Sequence, residues 1–241
     1  MQWLALLVGL IIGSFLNVCI YRIPKGESVA FPPSHCPVCG NKIKWYENIP
    51  VFSYIFILKG KCSECKGSIS VQYPVVEFIT GILFYIFFLR FGLGIFGIKY
   101  LIFICLLVVG IWVDFTHYYI PDRISLSIFI IGIMTSFFTI GFEKSVLGAG
   151  SFALFYIVLY GFGESFGYEV MGFGDVKLAM GIGAMVGYFN LYQVFMFLNI
   201  AFVLGAIIGV GLILLKRKTR KDIMPFGPYI AIAGLVIGYL S

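Results

Sequence analysis

Met171-Gly172-Phe173-Gly174-Asp175-Val176-Lys177-Leu178 puts a carboxylate behind two glycines, at the head of an apolar run that carries no charge until Lys216. As one helix, Leu178 to Leu215 would be about 57 Å long at 1.5 Å per residue, nearly twice the hydrocarbon thickness of a bilayer. The run must break, and Gly187-Tyr188-Phe189-Asn190 is the predicted place. An acid beside a bilayer is costly, which makes Asp175 a functional candidate by default. Asp is also a good helix N-cap, and this stretch alone leaves that structural reading open. Gly172 and Gly174 let the backbone turn tightly and let another chain approach the acid.

Composition sets the class. The chain is 61% hydrophobic and only 12% charged, with a mean hydropathy of +1.02. Soluble domains are nearer a quarter charged, so the sequence predicts an all-α polytopic membrane protein. About eight apolar spans of bilayer length fall near 1–20, 74–89, 96–113, 124–142, 145–163, 175–188, 190–215 and 224–240. Met1 to Ile20 lacks a basic head and a small-residue cleavage site, so it reads as a retained first helix rather than a removed signal peptide. The organisation that follows is a first transmembrane helix over 1–21, a polar cysteine-bearing insertion over 22–73, and a transmembrane core over 74–241.

The net charge of +6 is better read by position than as a nucleic-acid signal, and no nucleic-acid partner is expected. Of the 17 basic residues, only Arg90, Lys99 and Lys144 fall on one face of the predicted topology. The rest fall on the other, which the positive-inside rule makes cytoplasmic, with both termini pointing outward. The insertion, Asp114, Asp122 and Asp175 then all face the cytoplasm.

Within the insertion, Cys36-Pro37-Val38-Cys39 is followed by Cys62-Ser63-Glu64-Cys65. Two such knuckles supply four thiolates in a tetrahedron, the donor set of a structural zinc ion with no open position for catalysis. Disulfides compete, but a reducing compartment disfavours them. His35 is either a spare ligand or a solvated loop residue. Cys19 and Cys105 lie in apolar runs and read as small buried residues. Trp45, Tyr46 and Pro50 predict a loop that folds back onto the membrane face.

Asp114 closes the third span in Val113-Asp114-Phe115-Thr116-His117. A helix C-terminus is a poor place for an anion, so Asp114 is the better catalytic candidate beside Asp175. Asp122 follows Pro121 and reads as an N-cap. Two close carboxylates cannot both ionise cheaply, so one keeps a proton while the other is charged. Such a pair can activate water and protonate a scissile carbonyl. His117 is read as an interfacial residue, Lys177 as a headgroup anchor, and Glu77 as a partner for a lysine of the insertion; Glu164 and Glu169 are further juxtamembrane acids.

Taken in order, these residues resemble the prepilin peptidases, or type IV leader peptidases, membrane aspartyl proteases with a G-x-G-D signature. Gly13-Ser14-Phe15-Leu16-Asn17-Val18 with Tyr21-Arg22-Ile23-Pro24 looks like the family's opening. Asn48-Ile49-Pro50, the two knuckles, and Tyr73-Pro74 with Glu77 look like its cytoplasmic domain. Asp114, Ile120-Pro121-Asp122, Gly172–Leu178 and Pro225–Tyr229 complete the pattern, so the similarity spans nearly the whole chain. Lys59-Gly60-Lys61 departs mildly from it, with lysines where many relatives have arginine. The resemblance implies that Asp114 and Asp175 are the catalytic pair, supported by Gly172 and Gly174. It implies cleavage of a basic leader from type IV prepilin or pseudopilin precursors at the cytoplasmic face of the bacterial inner membrane. Members with the cysteine knuckles commonly also N-methylate the new N terminus with S-adenosylmethionine, although no separate glycine-rich loop marks a site for it here.

Two other classes fit some of the same residues. An ion- or proton-coupled transporter would use Asp114 and Asp175 as ligands and the zinc loop as a gate. An assembly scaffold would use that loop for docking. Against the transporter, both acids fall at span ends and no broken-helix repeat is evident.

Overall fold

The computed structural model describes residues 1–167, 171–219, 222 and 224–241; Glu169, Arg220 and Lys221 lie outside the described residues. The described chain is helical, with α1 (Gln2–Arg22), α2 (Gln72–Phe91), α3 (Ile95–His117), α4 (Asp122–Ser136), α5 (Phe142–Ser165), α6 (Phe173–Val186), α7 (Leu191–Leu214) and α8 (Gly227–Leu240). It divides into two compact units, Met1–Gly97 and Ile98–Ser241. Five helices (α1, α2, α3, α5 and α7) are long and apolar enough to cross a membrane. The chain is therefore a multi-pass membrane protein.

In the first unit α1 packs along α2 through small residues, which let helix backbones meet where lipid gives no hydrophobic drive for association. A Cβ on Gly13 would lie 2.7 Å from Glu77 Cα, and one on Gly9 2.7 Å from Phe84 Cβ. Asn17 ties the pair together by donating from Nδ2 to the Tyr73 carbonyl at 3.1 Å. Arg22, buried at the end of α1, donates to the carbonyls of Ser28 (3.0 Å) and Pro32 (2.6 Å) and so anchors the start of the insertion. Among the described residues Glu77 pairs with no lysine. Its carboxylate accepts from the Val51 backbone N–H at 2.7 Å, because Val51, at φ +59, turns its amide toward α2.

In the second unit α6 is the core element. It is only 14 residues long, about 21 Å at 1.5 Å per residue, and is buried among α4, α5 and α8 instead of presenting a lipid face. Glycines make this burial possible. A Cβ on Gly132 of α4 would lie 2.7 Å from the Met185 backbone nitrogen, and one on Gly234 of α8 would lie 2.8 Å from Ile182 Cγ2. On the α5 side Gly148 and Gly183 pack backbone to backbone, and Ser145 Oγ donates to the Ala184 carbonyl at 2.6 Å.

The long apolar run breaks where its length requires. Gly187, at φ +85, ends α6, and the Tyr188 N–H then bonds to the Lys144 carbonyl at 2.8 Å. Asn190 Oδ1 opens α7 by accepting from Gln193 N–H at 2.8 Å. The fourth span is shorter than predicted: α4 ends at Ser136, where Thr135 and Ser136 side chains turn back onto carbonyls of their own helix.

Candidate active site and metal centre

The insertion in the first unit folds as two matching knuckles. In one, His35 pairs with Lys42 and Cys36 N–H bonds to the Asn41 carbonyl at 2.9 Å; in the other, Lys61 pairs with Ser68 and Cys62 N–H bonds to the Gly67 carbonyl at 2.9 Å. Each turns through a left-handed residue directly after its second cysteine, Gly40 at φ +71 and Lys66 at φ +58. The four Sγ atoms of Cys36, Cys39, Cys62 and Cys65 all lie within 4.8 Å of one another. Cys36 and Cys65 Sγ are 3.9 Å apart, close to the edge of about 3.8 Å in a tetrahedron with zinc–sulfur bonds of about 2.3 Å. All four are free thiols. The Cys39 and Val38 backbone N–H groups hold the Cys36 thiol down at about 7, so the thiolate that a metal needs is available near neutrality. His35 stays out of the cluster, exposed, with Nδ1 on the Pro33 carbonyl at 3.1 Å. Trp45 is 82% exposed.

In the second unit the structure brings Asp114 and Asp175 together. Asp114 lies in the last turn of α3 and Asp175 in the first turn of α6; both are buried, and each carboxylate lies within electrostatic reach of the other. α3 closes after Asp114 through Tyr118, at φ +59, whose N–H bonds to the Asp114 carbonyl at 2.9 Å. That turn sends Ile120 inward, against both the G-x-G-D segment and α8. Asp114 Oδ2 is buried with no hydrogen-bond partner among the described residues. It faces Gly227 at the start of α8, where a Cβ would lie 2.5 Å from it.

Gly172 is the N-cap of α6 at φ −73, and neither it nor Gly174 adopts a left-handed backbone. Neither position needs glycine for turning, and a Cβ on either would make only ordinary van der Waals contacts. A Cβ on Gly174 would lie 3.6 Å from Ile120 Cβ, and one on Gly172 would lie 3.8 Å from Asp175 Oδ2. The N-cap of α6 being Gly172, Asp175 lies in the first turn of the helix and not at the capping position. As an anion in the first turn it still benefits from the helix dipole.

Asp122 is not an N-cap either. Pro121 holds that position, which places Asp122 one residue inside the helix, and its carboxylate pairs with Lys177 Nζ of α6 at 2.8 Å. Lys177 is thus tied to α4 instead of standing as a free anchor. His117 is exposed at the end of α3. Gly227 and Ile120 emerge as parts of the site that residue-by-residue reading did not single out. Their signal lay only in the quoted Ile120-Pro121-Asp122 and Pro225–Tyr229 segments.

Fold and four-cysteine cluster together define an all-helical, multi-pass membrane protein with a cysteine knuckle pair between its first two helices. Residues 7–91 match the Bacterial Peptidase A24 N-terminal domain, and residues 101–210 match the Type IV leader peptidase family. A protein of Xanthomonas campestris pv. campestris named prepilin leader peptidase/N-methyltransferase is 34% identical over 95% of this chain and 88% of its own length. Proteins of the same name from Pseudomonas putida (34% identical, 97% of this chain, 88% of theirs) and Dichelobacter nodosus (36%, 95% and 87%) match similarly. No solved structure matches. The chain belongs to the type IV leader peptidase family.

Proposed function

We propose that this chain is a prepilin leader peptidase and N-methyltransferase: a membrane aspartyl endopeptidase that removes the leader of type IV prepilin or pseudopilin precursors and then methylates the new N terminus. Membership of the family and the names of the relatives support the two activities. The single observation that carries the peptidase mechanism is the meeting of Asp114 and Asp175, buried on different helices, in one site.

Two carboxylates in one desolvated site share a proton more cheaply than they both ionise. The charged member takes a proton from a water molecule as its oxygen attacks the scissile carbonyl carbon. The protonated member hydrogen-bonds to the carbonyl oxygen, and the leaving nitrogen departs with a proton from the pair when the C–N bond breaks. The two titrate as a unit, so the base is a role of the pair. Gly172 and Gly174 flank Asp175 at the head of α6, where they would support the site.

The eight helices serve as eight crossings, with α6 and α8 completing theirs inside the protein. The basic residues clustered around the insertion and after α7 support a cytoplasmic location for the site and for the knuckles, where a basic leader would remain. The parts are a first helix over 1–21, a knuckle domain over 22–73, and a peptidase core over 74–241. Cys36, Cys39, Cys62 and Cys65 would hold a structural zinc ion that locks the knuckle pair. S-adenosylmethionine would supply the methyl group; buried Asn17 Oδ1 in the first unit lacks a partner among the described residues, but one orphan atom does not make a site. The transporter reading is not favoured, since the relatives are named for peptidase and methyltransferase activity.

The test is incubation of the purified protein with a prepilin-like precursor and S-adenosylmethionine, read by mass spectrometry. Leader removal with one added methyl group on the new N terminus is expected. An intact precursor, under conditions where the protein is folded, contradicts the reading.

A further inference from the structure

Tyr156, midway along α5, is fully buried, and its phenol has no hydrogen-bond partner among the described residues. A buried hydroxyl left unpaired weakens a fold, and phenylalanine would fill the same space without that cost. The ring is held firmly. Its centroid lies 6.1 Å from Phe197 edge-on, 6.2 Å from Phe202 with the planes nearly parallel, and 6.5 Å from Phe226. Phe226 directly precedes Gly227, whose backbone packs on Asp114 Oδ2. The aromatic cluster that fixes Tyr156 therefore also abuts the segment covering one member of the carboxylate pair. The other member, Asp175, opens α6, which packs along α5 where Gly183 meets Gly148 and Phe152, the latter one turn before Tyr156, and it lies within electrostatic reach of the Tyr156 phenol.

We infer that Tyr156 is a positioning residue for the carboxylate pair, its phenol donating a hydrogen bond to Asp175 when substrate occupies the site. Charge-assisted donors in a water-excluded site are the strong ones, and a ring wedged among three others can aim one without losing side-chain freedom. The aromatic cluster holds the phenol, and the phenol orients the carboxylate. This inference rests on the peptidase reading above.

The experiment compares cleavage of a prepilin-like precursor by the full-length protein and by its Tyr156→Phe, Tyr100→Phe and Asp175→Asn variants, with thermal unfolding in detergent alongside. Tyr156→Phe is expected to lower kcat roughly 10- to 100-fold, with KM unchanged and thermal stability equal to or above native. Tyr100→Phe removes a buried hydroxyl that bonds to Ser241 Oγ at 3.0 Å, so it should lower stability while leaving cleavage intact. Native kcat in Tyr156→Phe overturns the assignment, as does a fall in kcat that tracks lost stability as for a packing residue. If Asp175→Asn cleaves at the native rate, the carboxylate-pair reading falls and takes this inference with it. If Asp175→Asn is dead and Tyr156→Phe is fully active, only the Tyr156 assignment fails.

Discussion

The backbone of Gly227 packs directly against the carboxylate of Asp114: a Cβ there would lie 2.5 Å from Asp114 Oδ2 and 2.7 Å from Ile120 Cδ1. α8 thereby forms one wall of the carboxylate site, and a side chain there would displace the carboxylate.

Gly227→Ala should therefore slow cleavage about 100-fold without unfolding the protein. The added methyl meets the ends of two side chains, which can move aside, so the cost to the fold is modest. The carboxylate is displaced in doing so, and a misplacement of about 1 Å costs on the order of 100-fold in rate. Precursor cleavage alongside detergent thermal unfolding checks this; normal kcat would show that Asp114 does not need its observed position.

Gly183→Ala should do the opposite and damage the fold. Its Cβ would run into the backbone of Gly148 on α5, which cannot yield as a side chain can. Overpacking of this kind costs about 1–3 kcal/mol or more. A clear drop in unfolding temperature, or loss of accumulation in the membrane, is expected; native stability would mean α5 and α6 are further apart than described.

Cys36→Ser should release the metal and spare much of the peptidase activity, because the four thiols sit in the first unit and the carboxylates in the second. One metal ion per native chain and none per variant, by elemental analysis, is the expected result. Methylation should fall with the metal. Complete loss of proteolysis in a stably inserted variant would count against that division of labour.

The Lys177–Asp122 pair should matter little to stability. Its side chains are 34% and 71% exposed, and solvent-exposed pairs contribute about 0–1 kcal/mol. A double-mutant cycle of Lys177→Met and Asp122→Asn, read by thermal unfolding, should give a coupling inside that range. A larger value would mean that this pair, rather than glycine packing, holds α4 against α6.

What was legible in the sequence were the features that local chemistry forces. The apolar run from Leu178 to Leu215 had to break because no bilayer is thick enough for it, and Gly187-Tyr188-Phe189-Asn190 was the most plausible place. The cysteine spacing spelled out a four-thiol site for the same local reason. Long-range choices were not legible. Asp122 looked like a cap because caps are short-range, whereas its partner Lys177 is 55 positions away. Glu77 sat near many lysines along the chain and found a backbone amide instead. The glycines of the G-x-G-D stretch suggest a backbone turn and a closely approaching neighbour; neither is left-handed, and Ile120 meets Gly174 only at an ordinary contact distance, a neighbour that the fold alone reveals.

The most direct test of the central claim is precursor cleavage by the native protein beside its Asp114→Asn and Asp175→Asn variants, purified in the same detergent. Each substitution keeps the side chain's shape and removes its charge and acidity. The pair mechanism predicts that the native protein cuts and that either variant loses roughly 1,000-fold or more. Cleavage at the native rate by either variant would show that the buried carboxylates serve structure or ion binding, and would contradict the account at its core.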